Sequence, residues 1–363
     1  MEDDCCVFDV GTTECRAGFA GFDTPKLVFP TKVVYLNEIE MVLNYGNRLY
    51  AGSKLKFYER KFTTMSPISN GKITDYAQLE AIYNAAYNEI GASKKDHDVL
   101  IIENPNDETV FKHKEKLFQM FFENFEVPSI AIMNSALMSL YSTRRTDGMS
   151  VISGEDATYF VPISNVGSNL NSIQKINIGG RRVSEYLKEK LGTNCQIEQN
   201  TNYLKYIKEN CCDVCLNISN MLNLSTNNEN DAFEYYVLPD GNALKLGDER
   251  FTSSECLFNP NLIHSDNIGI HQQIYNCITK CDEKIRKEMF ENIVISGGNT
   301  SFKNFKQRLQ NEIQKFTPFE TKVIETNDSR LAPWLGGSII ASIENNGQFI
   351  SQEEYNEIGP NIY

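Results

Sequence analysis

Three glycine turns carry the residue types best suited to chemistry. In the first, Gly11-Thr12-Thr13-Glu14 separates the apolar run Cys6-Val7-Phe8-Asp9-Val10 from Cys15-Arg16-Ala17-Gly18-Phe19-Ala20, the pattern of a β-hairpin. In the second, Ser153-Gly154-Glu155-Asp156 divides Ser150-Val151-Ile152 from Ala157-Thr158-Tyr159-Phe160-Val161-Pro162. The third, Ser296-Gly297-Gly298-Asn299-Thr300, follows the apolar run Ile293-Val294-Ile295 and precedes a helix expected to begin near Ser301. A Gly-Thr-Thr turn can offer backbone N–H groups and two hydroxyls to a phosphate, because glycine lets the backbone come close and the turn forms an anion-binding nest. A single glycine turn is ordinarily only a turn. Three of them can converge on one nucleotide, the last at a helix N-terminus.

The thiols and imidazoles point nowhere comparable. Cys212-Asp213-Val214-Cys215 has the spacing of a metal or redox pair, and Cys277 and Cys281 stand one helical turn apart. No histidine cluster accompanies them, since His113, His264 and His271 are scattered, so these cysteines read as buried free thiols.

Around the turns, strands and helices alternate. Helical periodicity covers Tyr76–Ile90, with Leu79, Ile82, Tyr83 and Tyr87 on one face, then Lys112–Phe125 and Ser129–Thr143, with a strand at Val99–Ile102. After the second hairpin come a strand at Ile173–Ile178 and helices over Val183–Leu191, Asn202–Leu222 and Gly269–Glu283. The class is α/β, and the recurrence of the hairpin at Gly11 and again at Gly154 implies a duplicated domain of two related halves. Leu222–Asp231 is the most loop-like stretch, and Val34–Asn47 is weakly patterned.

Composition agrees with a folded chain of about two domains, at about 150 residues each over 363. Hydrophobic residues make up 41% and charged residues 23%, which disfavours disorder, collagen and coiled coil. The net charge of −13 repels a nucleic-acid backbone, so direct nucleic-acid partners are not expected. Met1–Cys6 has no apolar leader core and no run of about 18 apolar residues occurs, so neither secretion nor membrane insertion is expected. With ten cysteines read as reduced thiols, the expected compartment is cytosolic or nuclear.

At several stretches the resemblance to a known family becomes specific. They are Arg16-Ala17-Gly18-Phe19-Ala20-Gly21-Phe22-Asp23-Thr24-Pro25-Lys26 with Val28-Phe29-Pro30, Ser139-Leu140-Tyr141 through Arg145-Thr146-Asp147-Gly148, and Ile293 to Thr300. Trp334-Leu335-Gly336-Gly337-Ser338-Ile339-Ile340-Ala341-Ser342 and Gln352 to Pro360 complete the set. Running end to end with small gaps, the chain resembles a divergent actin or actin-related protein of the actin family.

That resemblance implies an actin-like ATPase fold: two related α/β halves, each a mixed sheet with flanking helices, and four subdomains around a cleft holding ATP or ADP and Mg²⁺. Subdomain 1 would comprise 1–30, 67–142 and 332–363; subdomain 2, 31–66; subdomain 3, 143–178 and 265–331; subdomain 4, 179–264. By match to the family motifs, Gly11, Thr12 and Thr13 would form the first phosphate loop, with Arg16 in place of a phosphate-reaching lysine. Asp9 would hold the waters of the metal. Gly154 and Glu155 would belong to the second phosphate loop, and Gly297, Gly298 and Asn299 to the third turn. Lys208 and Glu209 would lie on the adenosine side, Gly180 and Arg181 on the ribose side, and Phe302 and Arg330 near the base.

The second loop departs from the family pattern. Ile152 stands where the family has the aspartate of the metal's water shell, Asp156 where it has a second glycine, and Tyr159 where it has a histidine. Ser135, with Asn134 one place off, stands where a glutamine positions the attacking water. No catalytic residue is therefore assigned, and ATP hydrolysis is expected to be weak or absent unless Glu155 compensates.

The expected function is a cytoskeletal, ATP-binding structural subunit in the cytoplasm, with actin or actin-related subunits and complex-specific proteins as partners. The alternative is a nuclear scaffold subunit of a chromatin-remodelling complex. The family's inter-subunit groove would keep Tyr141, Ile340 and Ile343 but then meet Glu344-Asn345-Asn346-Gly347. The opposing loop would keep Met41, Val42 and Leu43 without the glycine-flanked motif, so self-polymerisation should be poor.

Overall fold

Cys5–Val10 is a strand because its run of apolar side chains is buried on both faces of a sheet: Cys6, Val7 and Phe8 are fully enclosed. The computed structural model describes residues 5–43, 46, 48–59, 61–105, 110–164, 173–192, 201–217, 233–237, 241, 243–343 and 349–360. They divide into two units, Met1–Thr146 with Leu331–Tyr363, and Asp147–Arg330.

In the first unit, Cys5–Val10 turns back antiparallel into Glu14–Phe19, which pairs antiparallel with Leu27–Pro30. On its other side Cys5–Val10 runs parallel to Asp98–Glu103, and that strand parallel to Ser129–Asn134. The second unit repeats this plan. Gly148–Ser153 turns antiparallel into Thr158–Ile163 and then Gln174–Ile176, and runs parallel to Ile293–Ser296, which is parallel to Val323–Ile324. The duplication inferred from the two glycine hairpins is thus present as matching strand orders within two mixed sheets flanked by helices.

The hairpins match residue for residue. Asp9 lies opposite Arg16 in the first and Ile152 opposite Tyr159 in the second. Each turn is closed by a glycine N–H, Gly11 donating to the Glu14 carbonyl and Gly154 to the Ala157 carbonyl, both at 3.0 Å.

Several boundaries differ from the sequence expectation. The helix expected over Ser129–Thr143 is a strand, Ser129–Asn134, followed by a helix, Ser135–Ser142. Ile130–Met133 are buried in a parallel sheet, where a continuous apolar run cannot be told from a buried helix by its period. The Asn134 side chain then caps the helix by accepting from the Ala136 N–H at 2.7 Å. The helix expected over Asn202–Leu222 covers Thr201–Cys211. Beyond it the Asp213 and Val214 N–H groups donate to the Arg250 and Lys303 carbonyls instead of continuing the helix. Gly269–Glu283 holds one helix, Ile270–Thr279, and a second, Glu283–Glu291, begins where Asp282 caps the Lys284 N–H. The third glycine turn leads into a 3₁₀ turn, Gly298–Ser301, before the α-helix Phe305–Gln314. The loop expected at Leu222–Asp231 and the Glu344–Gly347 stretch lie outside the described residues.

The helix Ala332–Ala341 fixes Ser135–Ser142 in the first unit. A methyl group on Gly336 would overlap the Met138 carbonyl, so the two helices meet at backbone distance. The Trp334 Nε1–H donates to the Val7 carbonyl at 3.0 Å, anchoring that helix to the strand that leads into the first turn.

Candidate functional site

In the first hairpin the chemistry is a compact ion cluster. Arg16 donates from one terminal nitrogen to Asp9 at 3.0 Å and from the other to Glu14 at 3.2 Å, while its Nε is buried without a partner. Burial pushes the Asp9 carboxyl above its ordinary range, against the opposing pull of Arg16. Thr13 is exposed, and Gly11 and Thr12 are half-buried at the turn. Glu14 was not singled out from the sequence. The available signal is strand alternation, which puts residues two apart on one face and therefore Glu14 beside Arg16.

In the second unit three segments predicted separately come together on the second hairpin. Asn299, from the third turn, donates through its side-chain amide to Ser153 Oγ at 3.0 Å and to the Gly154 carbonyl at 2.7 Å. The N-terminus of Gly180–Leu191 sits on the same hairpin, the Gly180 N–H donating to the Gly154 carbonyl and the Arg181 N–H to the Glu155 carbonyl, both at 2.9 Å. Lys208, buried, reaches the Gly180 carbonyl at 3.1 Å and the Glu155 carboxylate at 3.4 Å. Arg181 holds Asp156 through two bonds of 2.9 and 2.6 Å, so the Asp156 charge is matched rather than bare. Glu155, the residue that could compensate for the missing aspartate, is held by Lys208.

The glycines of these turns fall into two kinds. Gly179, Gly180 and Gly297 are demanded by packing: a methyl group at any of them would collide with atoms of the second hairpin, and Gly297 also holds φ at +93°. Gly11, Gly154 and Gly298 are not so constrained. None has a positive φ, an added Cβ at Gly11 or Gly154 would meet nothing closer than 3.4 Å, and at Gly298 nothing within 4 Å. What glycine provides at those three positions is open backbone, the property a phosphate-cradling turn needs.

Three predicted residues do not join these clusters. Glu209 is exposed and pairs with Lys205 at 3.8 Å along its own helix. Arg330 is exposed and donates twice to Asp328, at 3.0 and 2.7 Å. Phe302 is half-buried and packs against the hydrophobic cores on both sides of it. In the first unit Ser135 is buried at the start of its helix with its hydroxyl unpartnered, and Asn134 is committed to capping.

The chain matches the family described as Actin over residues 2–203 and 189–363. The chain belongs to the actin family. Its two matching α/β units are those of the actin-like fold, which generally binds a nucleotide and a divalent metal.

The residues of this actin-family chain fit those two ligands unequally. For a nucleotide, the open glycine turns, Gly11 in the first unit and Gly154 and Gly298 in the second, suit an anion. For Mg²⁺ the donor set does not fit. The Asp9 carboxylate is spent on Arg16, and the equivalent position of the second hairpin is Ile152, a buried hydrocarbon. Elsewhere, the Cys212 and Cys277 thiols are buried and pushed up to about 12, away from the thiolate a metal or redox role requires. At the expected inter-subunit groove, Tyr141 and Ile340 pack against the Trp334 cluster and Ile343 is exposed. No helix among the described residues is long and apolar enough to cross a membrane.

Proposed function

We propose that this actin-family chain is an ATP-binding structural subunit of a filament or hetero-assembly that hydrolyses ATP slowly or not at all. Gly11–Thr13 would serve as a phosphate loop in the first unit, and Gly154–Glu155 with Gly297–Asn299 as one in the second. Lys208, Gly180 and Arg181 would add contacts on the nucleoside side.

The observation that carries this reading is the pairing at equivalent register positions: Asp9 against Arg16 in one hairpin, Ile152 against Tyr159 in the other. An open turn survives in both, which supports binding, but the second has no carboxylate or imidazole at the paired positions to organise water or metal. The nucleotide then acts as a structural ligand, adding stability by mass action. Its partners would be actin or actin-related subunits in the cytoskeleton of the cytoplasm.

Titration of the purified protein with a fluorescent ATP analogue, followed by pelleting at micromolar concentration in ATP and Mg²⁺, tests both halves. Saturable nucleotide binding without long homopolymers is expected. Absence of any nucleotide binding, or abundant self-assembled filaments, contradicts it.

A further inference from the structure

The cation of the first loop is already answered by carboxylates of its own hairpin. Arg16 is the basic side chain nearest the Gly11 turn, its terminal nitrogen 3.8 Å from where a Gly11 Cβ would stand. Both terminal nitrogens donate to carboxylates, one to Asp9 and one to Glu14. Asp9 faces Arg16 across the hairpin, where a register pair is bound to meet. Glu14 is different: it lies two residues from Arg16 on the same strand face, at the edge of the turn, with a side chain about a quarter exposed.

Two acids against one base leave the loop with an excess negative charge beside an open glycine turn. A phosphate approaching Gly11 meets a guanidinium whose fork is spent, and must either displace Glu14 or accept one donor fewer. We infer that Glu14 is a built-in competitor for nucleotide phosphate, an internal anion that latches Arg16 and sets how tightly the chain binds ATP. This inference rests on the nucleotide-binding reading given above.

The same device recurs in the second unit with different partners: Glu155 holds Lys208 and Asp156 holds Arg181. All three cations within these two clusters are thereby matched inside the protein. A chain wired in this way holds its loops in place without nucleotide, and nucleotide binding becomes an exchange of one anion for another.

The latch acts on phosphate and not on the nucleoside, which separates it from a general effect on the fold. Glu14→Gln keeps size and hydrogen-bonding ability and removes the charge. Nucleotide titrations with ATP, ADP and adenosine on wild type and E14Q, at two salt concentrations, provide the test. Expected are ATP and ADP affinities about tenfold tighter in E14Q, with the gain shrinking at high salt, and an unchanged adenosine affinity. A second variant, Glu14→Met, should behave alike. If wild type and both variants bind ATP equally, the latch is wrong while nucleotide binding stands. If adenosine tightens as much as ATP, Glu14 acts through the fold and the latch is again wrong. If no form binds ATP at millimolar concentration, the nucleotide-binding reading itself falls and the latch with it.

Discussion

The two glycine hairpins share a backbone and differ in what stands across it. Both are closed by a glycine N–H to a carbonyl three residues on, both continue into a third antiparallel strand, and both lie beside a parallel strand from later in the chain. At the second position pair from the turn, one carries Asp9 and Arg16 and the other Ile152 and Tyr159. The first hairpin therefore holds charge and the second holds hydrocarbon. Scaffold and side-chain chemistry are separable: the open turn needs only glycine, whereas the side chains that face each other beyond it differ between the two hairpins. In the second unit the charges stand instead on the turn itself and on the segments docked on it, Glu155, Asp156, Arg181 and Lys208.

Replacing glycines breaks this comparison most forcefully. Gly297→Ala drives a methyl group into the Ser153 carbonyl at a left-handed φ, and should cost the second unit about 3–5 kcal/mol of stability. Gly11→Ala meets only ordinary contacts and should shift stability by less than about 1 kcal/mol while weakening nucleotide binding. Thermal unfolding of both variants beside wild type checks the contrast. Equal stability losses would mean that the open and the packed glycines are not distinct.

Acid separates the units next. His271, in the second unit, lies between the Phe258 and Phe316 rings, and burial pushes its pKa from 6.5 down to about 4, with Arg308 and Lys315 pushing the same way against Glu312. Between those values the unfolded chain takes up a proton that the folded chain refuses. Stability is therefore full above about pH 6.5 and falls as the pH drops towards 4, by on the order of 2–3 kcal/mol. His271→Phe, which keeps the stack, should flatten that part of the stability profile in denaturant titrations at pH 7 and pH 5. A profile unchanged by the substitution would show that the imidazole is not what titrates.

A smaller effect is expected where the third turn is tied to the second hairpin. Asn299→Ala removes two hydrogen bonds and leaves the Gly154 carbonyl one donor short, costing about 1–2 kcal/mol and loosening nucleotide binding. Smallest is the attempt to make the second hairpin resemble the first: Ile152→Asp should raise the Mg²⁺ dependence of ATP affinity by about threefold. Fluorescence titration with and without Mg²⁺ reads both, and an ATP affinity of Asn299→Ala equal to that of wild type would dissociate the third turn from the site.

The parts of the molecule governed by local pattern were legible in the sequence. The hairpins, the helix Tyr76–Ile90 and the strand Ile293–Ser296 stand where alternation and helical period place them. Ser129–Asn134 was misread because burial on both faces erases alternation, and the end of the Thr201–Cys211 helix because Asp213 and Val214 bond to distant carbonyls. Within the site, glycine spacing pointed to the turns, whereas the pairing of Asp156 with Arg181, 25 residues away, could not be read from spacing alone. An ion pair depends on which rotamers meet, and an exposed Arg330 or Glu209 finds a neighbour on its own segment before any ligand.

The central claim is that nucleotide binding has outlived nucleotide turnover, and phosphate release measured in one sample with nucleotide occupancy tests it most directly. With ATP and Mg²⁺ at concentrations that saturate the fluorescence titration, the account predicts a chain filled with ATP that releases phosphate far more slowly than a hydrolysing actin run beside it. Release at the rate of that control, abolished by Asp9→Ala, would contradict it.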